Sequence, residues 1–344
     1  MKSKTVTVAL SGGKDSTAAI LLLRERGYRV RALHMRLGLR TDEEKAEKVS
    51  RLAGTLDVPL RICDFAPAFQ NRVVDFFVAE YGAGRTPNPC VVCNRHVKFG
   101  LLLDTVLTEE PAGYLATGHY ADRTCRGGRW FLTEPRDRRK SQIYFLAWMK
   151  TEALKRVLFP LAGCTIEEVR RLVSGLPLAN PKESQDVCFL EAGGLGDFLK
   201  RRLPKGFRPG NIFDTDGRVI GGHEGVLHFT VGQRRGTRFA SDRRLYVIGT
   251  DIQANTVTLG DEKFLMSESV TTVQPVYWRK IRKGETLNVK VRYQTPGEEA
   301  VVKECTESMI RAVFRKPVRA VTSGQLAVFY DDDRIVASGI IRQI

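Results

Sequence analysis

No apolar run in the 344 residues approaches the ~18 positions that a membrane-spanning helix needs, which excludes a helical membrane protein. The apolar stretch behind the basic start Met1-Lys2-Ser3-Lys4 ends at Leu10, too short for a secretory signal core, so a cytoplasmic location is the expectation. Acidic side chains are in deficit: 39 Asp and Glu face 55 Lys and Arg, a formal charge of +16. A field of that sign attracts polyanions and speeds their encounter, and RNA or DNA is the obvious candidate. Cysteines number seven, an odd count that argues against a disulfide framework and for reduced thiols used as ligands or in catalysis. Only one CxxC pair occurs, Cys90 and Cys93, so a four-cysteine zinc site lacks its second half. His34, His96, His223 and His228 show no metal-ligand spacing, and no internal repeat or low-complexity tract is present.

What is present begins as alternating short strand and helix patterns. Thr5–Leu10 and Arg29–Met35 read as strands around a helix over Asp15–Arg26 that Gly27 stops, a βαβ unit. Thr41 and Glu44 have the spacing of a capping box for the next helix, and Leu60–Asp64 follows as strand. Helical patterns at Pro67–Tyr81 and Lys98–Thr108 and a strand at Tyr114–Thr117 continue an alternation that calls for a parallel sheet covered by helices. Beyond about residue 205 short β-rich pieces take over, among them Leu287–Tyr293, Ala300–Val302, Met309–Phe314, Gln325–Tyr330 and Ile335–Ile341, which suggest a small barrel or sandwich. At ~100–200 residues per domain, two or three units are expected. The expected fold is α/β, with a doubly wound N-terminal domain over 1–205, a small central domain over 206–270 and a C-terminal β-barrel over 271–344.

Between the first strand and helix lies Ser11-Gly12-Gly13-Lys14-Asp15-Ser16. Exposed N–H groups and the helix dipole favour an anion there, and the two glycines let the backbone approach phosphates closely. Lys14 can neutralise charge, Asp15 can hold magnesium, and the Ser11 and Ser16 hydroxyls can donate. The loop lacks the G-x-x-x-x-G-K-[ST] of a Walker motif, because Gly13-Lys14 runs into Asp15 with no glycine five positions before Gly13. Further along, the prolines of Gly84–Asn94 make it read as a shaped loop carrying the thiols of Cys90 and Cys93. Taken alone, that CxxC suggests a redox pair or half of a zinc or iron–sulfur site. Cys63, Cys125, Cys164 and Cys305 sit in strand-like or mixed contexts and are expected as small buried hydrophobes.

The SGGKDS loop resembles the pyrophosphatase loop (PP-loop) of the N-type ATP pyrophosphatases, which cleave ATP to AMP and pyrophosphate by adenylating a substrate oxygen. Over nearly the whole chain the sequence is similar to the bacterial tRNA-specific 2-thiouridylases, through SGGKDS, Ala79–Asn94, Ala116–Ala121, Lys140–Leu146, Lys182–Leu190, Phe229–Gly236, Val291–Tyr293 and Ser323–Tyr330. The resemblance implies an ATP-dependent tRNA sulfurtransferase that adenylates the carbon-2 oxygen of the wobble uridine and replaces it by sulfur. It implies Cys93 as the first catalytic cysteine and Cys188 as the bearer of sulfur in a persulfide. It implies ATP and Mg2+ as cofactors, with Ala9, Leu10, Ser11, Gly12, Gly13, Lys14, Asp15, Ser16, Met35 and Gly118 binding ATP. Asn88, Pro89 and Cys90 would meet the target base, His119 would face the tRNA, and Arg292, Tyr293 and Gln325 would contact it. A persulfide carrier protein or sulfide would supply sulfur, and no membrane is involved.

Two departures from the family pattern bear on chemistry. Cys90 stands where the family has an Asp proposed as acid/base, and Cys90, Cys93 and Cys188 together are the three thiols that a four-iron four-sulfur cluster with one open iron needs. Persulfide and cluster therefore both stand as readings. Ser141 replaces the Asp of K-D-Q within Lys140, Ser141 and Gln142, which the resemblance assigns to tRNA contact. Basic residues crowd positions 122–140 with Trp130 and Phe131 interleaved, and Arg234-Arg235, Arg243-Arg244 and Arg279–Lys283 extend the positive surface. The rival readings are another PP-loop tRNA-modifying enzyme, which would not need this cysteine set, and a catalytically inactive tRNA-binding homologue.

Overall fold

The computed structural model describes residues 4–111, 113–178, 187–190, 193–234 and 244–342. Lys182–Asp186 of one family stretch, Arg235-Gly236 of another, and the basic Arg235 and Arg243 lie outside them. Five parallel strands build the N-terminal sheet: β1 (Thr5–Ala9), β2 (Arg29–Arg36), β3 (Leu60–Asp64), β4 (Tyr114–Ala116) and, after the hairpin β5 (Asp122–Arg126) and β6 (Arg129–Thr133), β7 (Val157–Leu158). Their order is β3-β2-β1-β4-β7. Both faces are covered, as a parallel sheet requires. On one face α1 (Lys14–Glu25) and α2 (Asp42–Thr55) press Ile20, Leu23, Val49 and Leu52 against Val6, Val8 and Val30. On the other, α3 (Ala66–Phe69), α4 (Asp75–Gly82) and the helical run of α5 (Pro89–Cys93), Asn94–Leu102 and α6 (Leu103–Glu109) bring Phe69, Phe77, Val97 and Leu102 onto Leu33 and Leu115.

The order of the remaining units follows the chain. A four-stranded sheet of β8 (Gly210–Phe213), β9 (Val219–His223), β10 (Tyr246–Asp251) and β11 (Thr256–Gly260) closes over its own small core of Ile212, Val247, Val257 and Leu259. Next come β12 (Met266–Tyr277), β13 (Thr286–Lys290), β14 (Glu298–Cys305), β15 (Met309–Arg319), β16 (Leu326–Asp331) and β17 (Arg334–Ile341). They run β12-β15-β14-β13-β16-β17, and β12 pairs with β17 to close a barrel. Closure removes sheet edges, except that β6 of the N-terminal unit pairs with β17 at Thr133 and Arg334, so one sheet continues across both units.

Local expectations differ from the structure in three places. Thr41 is the N-cap of α2 but its side chain makes no capping bond; instead Asp42 Oδ2 accepts the N–H groups of Leu37, Gly38 and Leu39 at 2.6, 2.8 and 3.1 Å, and so orders the preceding turn. The cysteine pair is not on a loop: Asn88 caps and Pro89 opens a helix, which places both thiols in its first turns. Cys125 is exposed on the outermost strand β5, and Cys63, Cys164 and Cys305 are only partly buried, so none is a small core residue. Of the aromatics in the basic stretch, Phe131 is core and Trp130 lies under the Arg123 guanidinium, 4.3 Å from its ring centre.

Candidate active site

Residues 10–16 form a closed turn between β1 and α1. Gly12 is in the left-handed region at φ +82, which its missing Cβ permits. Ser16 is the knot of the turn: its hydroxyl donates to the Gly13 carbonyl at 3.0 Å, accepts the Ser11 N–H at 3.3 Å and lies 3.1 Å from the Ser11 hydroxyl. Thr17 adds a second bond to the Gly13 carbonyl at 3.0 Å. Leu10 is held at both ends, its N–H on the Leu33 carbonyl at 2.9 Å and its carbonyl on His34 Nδ1 at 2.8 Å. Met35 follows at the end of β2, beside Cys63 of β3. Across the turn lies Gly118, where a Cβ would stand 2.5 Å from the Asp15 carbonyl carbon and 2.6 Å from the Ser16 nitrogen. Only glycine lets the segment after β4 touch the start of α1 in this way. One carboxylate beside phosphates is an ordinary protein share of a magnesium site, and Asp15 fits that part.

Two short chains of contact lead away from the turn, and the second reaches the helical run that follows Cys93. Tyr120 donates from its hydroxyl to Asp15 Oδ1 at 3.4 Å, while Gln142 accepts its N–H and donates to its carbonyl at 2.9 and 2.8 Å. His119 bonds through Nδ1 to the Thr117 hydroxyl at 2.9 Å, and its ring lies 5.8 Å from that of Phe99, six residues after Cys93. Burial, helped by the charge of Lys98, pushes His119 well below the ordinary histidine range, so it is neutral at physiological pH.

The helix carrying Cys90 and Cys93 is anchored at its start. Asn88 Oδ1 accepts from the Cys90 and Val91 N–H groups at 3.1 and 3.4 Å. Beyond Cys93 the backbone widens into a π-helical stretch, Asn94–Leu102. Arg95 stacks 4.3 Å over Trp148, and His96 also meets that ring. Lys98 makes no hydrogen bond or ion pair among the described residues, and its charge acts instead on Cys90, Cys93, Cys188 and His119. Cys188 comes from the turn Val187–Leu190, closed by a Leu190 N–H to Val187 carbonyl bond of 3.0 Å. Its neighbour Phe189 is the anchor, wedged at 5.2, 5.3 and 5.9 Å from the rings of Phe77, Phe198 and Phe69.

Cys93 is buried, whereas Cys90 and Cys188 reach solvent. Desolvation pushes the Cys93 thiol up to about 12, with Lys98 pulling it down and Cys188 and Cys90 adding to the rise. Cys90 and Cys188, crowded by protein though still accessible, are also raised by desolvation and eased by Lys98. Cys188, 95 positions further along the chain, thus lies near enough to act on the ionisation of Cys93. Among the described residues no group of three or more Cys, His, Asp or Glu is arranged to hold a metal ion.

The residues expected at the RNA are spread over several jobs. Gln325 donates to the Thr86 carbonyl at 2.7 Å, and the Thr86 N–H reaches the Ser323 carbonyl at 2.9 Å, so the barrel holds the segment that leads into Asn88. Arg292 reaches Thr322 Oγ1 at 2.6 Å and the Val231 carbonyl at 3.3 Å, joining the central and barrel units. Tyr293 packs on Phe145 with ring centres 4.5 Å apart. Ser141 and Tyr293 line one cavity, and Gln142 points the other way, to Tyr120. Sequence reasoning missed Lys98, Tyr120 and Phe189. Lys98 had a faint signal in its place five residues after Cys93, and the other two lie within the family stretches Ala116–Ala121 and Lys182–Leu190 without a role that the residue types alone suggest.

Three family profiles match consecutive segments: "tRNA methyl transferase HUP domain" over residues 4–192, "tRNA methyl transferase PRC-barrel domain" over 196–261 and "Aminomethyltransferase beta-barrel domain" over 268–341. Among curated relatives, the tRNA-specific 2-thiouridylase MnmA 2 of Thermoanaerobacter sp. (strain X514) is 36% identical over 356 aligned positions, 98% of each chain. The MnmA 1 of Clostridium botulinum (strain Okra / Type B1) is 35% identical over 353 positions and the whole of both chains. The MnmA of Acetivibrio thermocellus is 36% identical over 360 positions, covering 99% of this chain and 100% of the relative. A solved NH3-dependent NAD synthetase from Campylobacter jejuni aligns at a TM-score of 0.31 and 18% identity, covering 52% of this chain and 66% of that one, too little to argue from. With relatives this similar over essentially its full length, the chain belongs to the tRNA-specific 2-thiouridylase family.

Proposed function

We propose that this protein is an ATP-dependent tRNA uridine 2-sulfurtransferase acting on the wobble base. The observation that carries the reading is that Cys188, from a distant part of the chain, lies near enough to act on the ionisation of Cys93, whose helix is linked through Phe99, His119 and Gly118 to the phosphate turn. Carbon 2 of uridine is a poor electrophile because its oxygen leaves badly. Attack of that oxygen on the α-phosphate of ATP expels pyrophosphate, and the oxygen departs later as part of AMP. Residues 10–16 would hold the phosphates through backbone N–H groups and Lys14, and Asp15 would hold a magnesium ion, which would supply positive charge for the developing negative charge.

Sulfur arrives from a donor as a persulfide on Cys188, whose exposure suits it to an external carrier. The terminal sulfur, as its anion, attacks carbon 2; AMP leaves, and a disulfide then joins Cys188 to the base. The Cys93 thiolate attacks Cys188 Sγ, the sulfur–sulfur bond breaks with its electron pair going to the base sulfur, and 2-thiouridine is freed. A Cys93–Cys188 disulfide remains for a cellular thiol reductant to reopen. Desolvation keeps Cys93 protonated until this step, which protects it from premature oxidation, and Lys98 favours the anion when it forms.

A cluster on Cys90, Cys93 and Cys188 is favoured by the thiol in place of the family's Asp. No step here passes through a cluster. The deciding experiment purifies the protein without oxygen, records iron and sulfide, and assays 2-thiouridine formation on unmodified tRNA with ATP. Cys93→Ala and Cys188→Ala are expected to release pyrophosphate yet form no 2-thiouridine. Cys90→Ala is expected to retain activity without iron. Loss of activity in all three together with bound iron would establish the cluster, and no AMP formation with bound tRNA would revive the inactive homologue.

A further inference from the structure

Residues 144–148 are fastened on two sides. Toward the cysteine helix, the Phe145 carbonyl accepts from Asn94 Nδ2 at 3.0 Å and the Trp148 carbonyl accepts from the Arg95 guanidinium at 2.5 Å. That guanidinium also stacks on the Trp148 ring, 4.3 Å from its centre. Toward the barrel, the Tyr144 hydroxyl donates to the Leu326 carbonyl at 2.7 Å, and the Trp148 indole N–H donates to the Gln274 carbonyl at 2.9 Å. Between these two, the Ala147 carbonyl accepts twice, from the Ser338 hydroxyl at 2.8 Å and from the Trp278 indole N–H at 3.1 Å. Tyr144, Ala147 and Trp148 are all buried. The helical run that carries Cys93 and the barrel strands β12, β16 and β17 therefore grip one shared segment.

Stability alone does not select the two residues that make the grip. Asn94 is 2% exposed, and its Oδ1 is buried with no hydrogen-bond partner among the described residues. Arg95 is half-buried and pairs with no carboxylate among the described residues. An apolar side chain at either position would leave no orphaned acceptor and no desolvated charge. Groups kept against stability in this way collect where function needs them. Both residues directly follow Cys93, at the start of the wide helical stretch Asn94–Leu102, and wide helical turns are rare and frequent at functional sites. Thiol exchange supplies the need. The attacking sulfur must approach in line with the bond that breaks, and a displacement near 1 Å costs about 100-fold in rate. Adenylation takes place at the phosphate turn and makes no such demand on Cys93.

We propose that Asn94 and Arg95 are positioning residues for sulfur transfer: by fixing the start of the wide helix to residues 144–148, and through them to the barrel, they set the line on which Cys93 approaches Cys188. The inference rests on the thiol exchange assigned above. Arg95 serves through its planar face on Trp148 and its bond to the Trp148 carbonyl, so lysine, with the same charge and no plane, is no substitute.

The test compares the full-length wild type with Arg95→Met, Arg95→Lys and Asn94→Ala. In one arm, enzyme preloaded with sulfane sulfur from inorganic polysulfide is mixed with unmodified tRNA and ATP, and pyrophosphate and 2-thiouridine are followed through a single turnover. In the other arm tRNA and ATP are left out. Diamide then takes two electrons and two protons from the thiols, becoming the hydrazine, as Cys93 and Cys188 join, and fragment masses tell this disulfide from one between Cys90 and Cys188. Each variant is expected to release pyrophosphate at the wild-type rate, with unchanged affinity for ATP and tRNA. Each should form both 2-thiouridine and the Cys93–Cys188 disulfide about 10- to 100-fold more slowly. Alkylation of Cys188 should stay at the wild-type rate, because its own surroundings are untouched. Arg95→Lys should be as slow as Arg95→Met, and it decides alone if Arg95→Met does not fold. Recovery of wild-type rates in Arg95→Lys would make the role one of charge and overturn the proposal. Equal slowing of pyrophosphate release and transfer, the result of a purely structural role, would overturn it too, as would wild-type disulfide formation in all three variants. A wild type that forms no 2-thiouridine, alongside variants that still slow the disulfide, would leave the positioning standing and refute the assigned reaction.

Discussion

At the scale of single residues, chemistry here is set by which charges and surfaces surround a few thiols. Lys98 lowers the affinity of Cys90, Cys93 and Cys188 for protons, while desolvation raises it and wins. Alkylation of Cys188 should therefore climb with pH through the range 7–9 without levelling, because the thiolate fraction is still rising there. Replacing Lys98 by Met removes the opposing charge that the three thiols share, moves them further up, and should slow alkylation at pH 8 by roughly an order of magnitude, read by mass spectrometry of the labelled peptide. A rate unaffected by the substitution would dissociate Lys98 from the thiols. Gly118 is the sharpest steric case. Gly118→Ala puts a methyl into the Asp15–Ser16 backbone, and pyrophosphate release should fall by about 100-fold, the cost of a displacement near 1 Å, with only a few degrees lost in Tm.

At the scale of elements, the helix after Asn88 decides where two thiols point. The motif NPCVVCN was legible as rigid, but its helical character was not, because helix propensity says little for a Val-rich turn bounded by prolines; the Asn88 cap and the pairing of Thr86 with the barrel impose it. Asn88→Ala should cost ~1 kcal/mol of stability, seen in urea melts, and slow sulfur transfer more than adenylation. Asn88→Asp, which can still cap, should recover most of both. If Asn88→Ala slows adenylation and transfer equally, the cap is not what aims Cys90 and Cys93. The long strand β12 is a further element without a clear signal. Its Ser267, Glu268, Thr271, Thr272 and Gln274 interrupt the apolar pattern, and it becomes a strand because β15 and β17 both pair with it.

At the scale of the whole molecule, the three units are held by buried polar contacts as well as by the continuous sheet. Glu80 at the end of α4 takes forked bonds from Arg85 at 2.6 and 2.9 Å and from Arg342, after the last barrel strand, at 3.0 and 3.2 Å. Burial alone would raise its pKa, but the two guanidinium partners outweigh that and hold the carboxyl below the usual range. The stability it adds is therefore complete above the ordinary glutamate value near 4.3 and is lost as pH falls through its depressed one. Glu80→Ala leaves two arginines facing a gap and should cost about 2–4 kcal/mol at pH 7, discounted for their partial exposure. The difference from wild type should shrink below about pH 4, where the carboxyl of the wild type is itself protonating. A constant difference from pH 7 to 3 in chemical denaturation would refute the clamp.

The chain's own order determined whatever local periodicity encodes: β1, the phosphate turn and α1, the alternation behind them, and the β-rich second half. Residues whose role depends on one loop, such as Ser11–Ser16, were legible for that reason. What only the tertiary structure decided is what joins distant segments. Phe189 wedges Cys188 toward the cysteine helix, Gly118 presses on Asp15, the barrel loop around Gln325 grips Thr86, and β6 lends an edge to β17. None of these has a period or a motif, because packing selects partners by shape and buried polarity across the fold, and neither quantity is local in sequence.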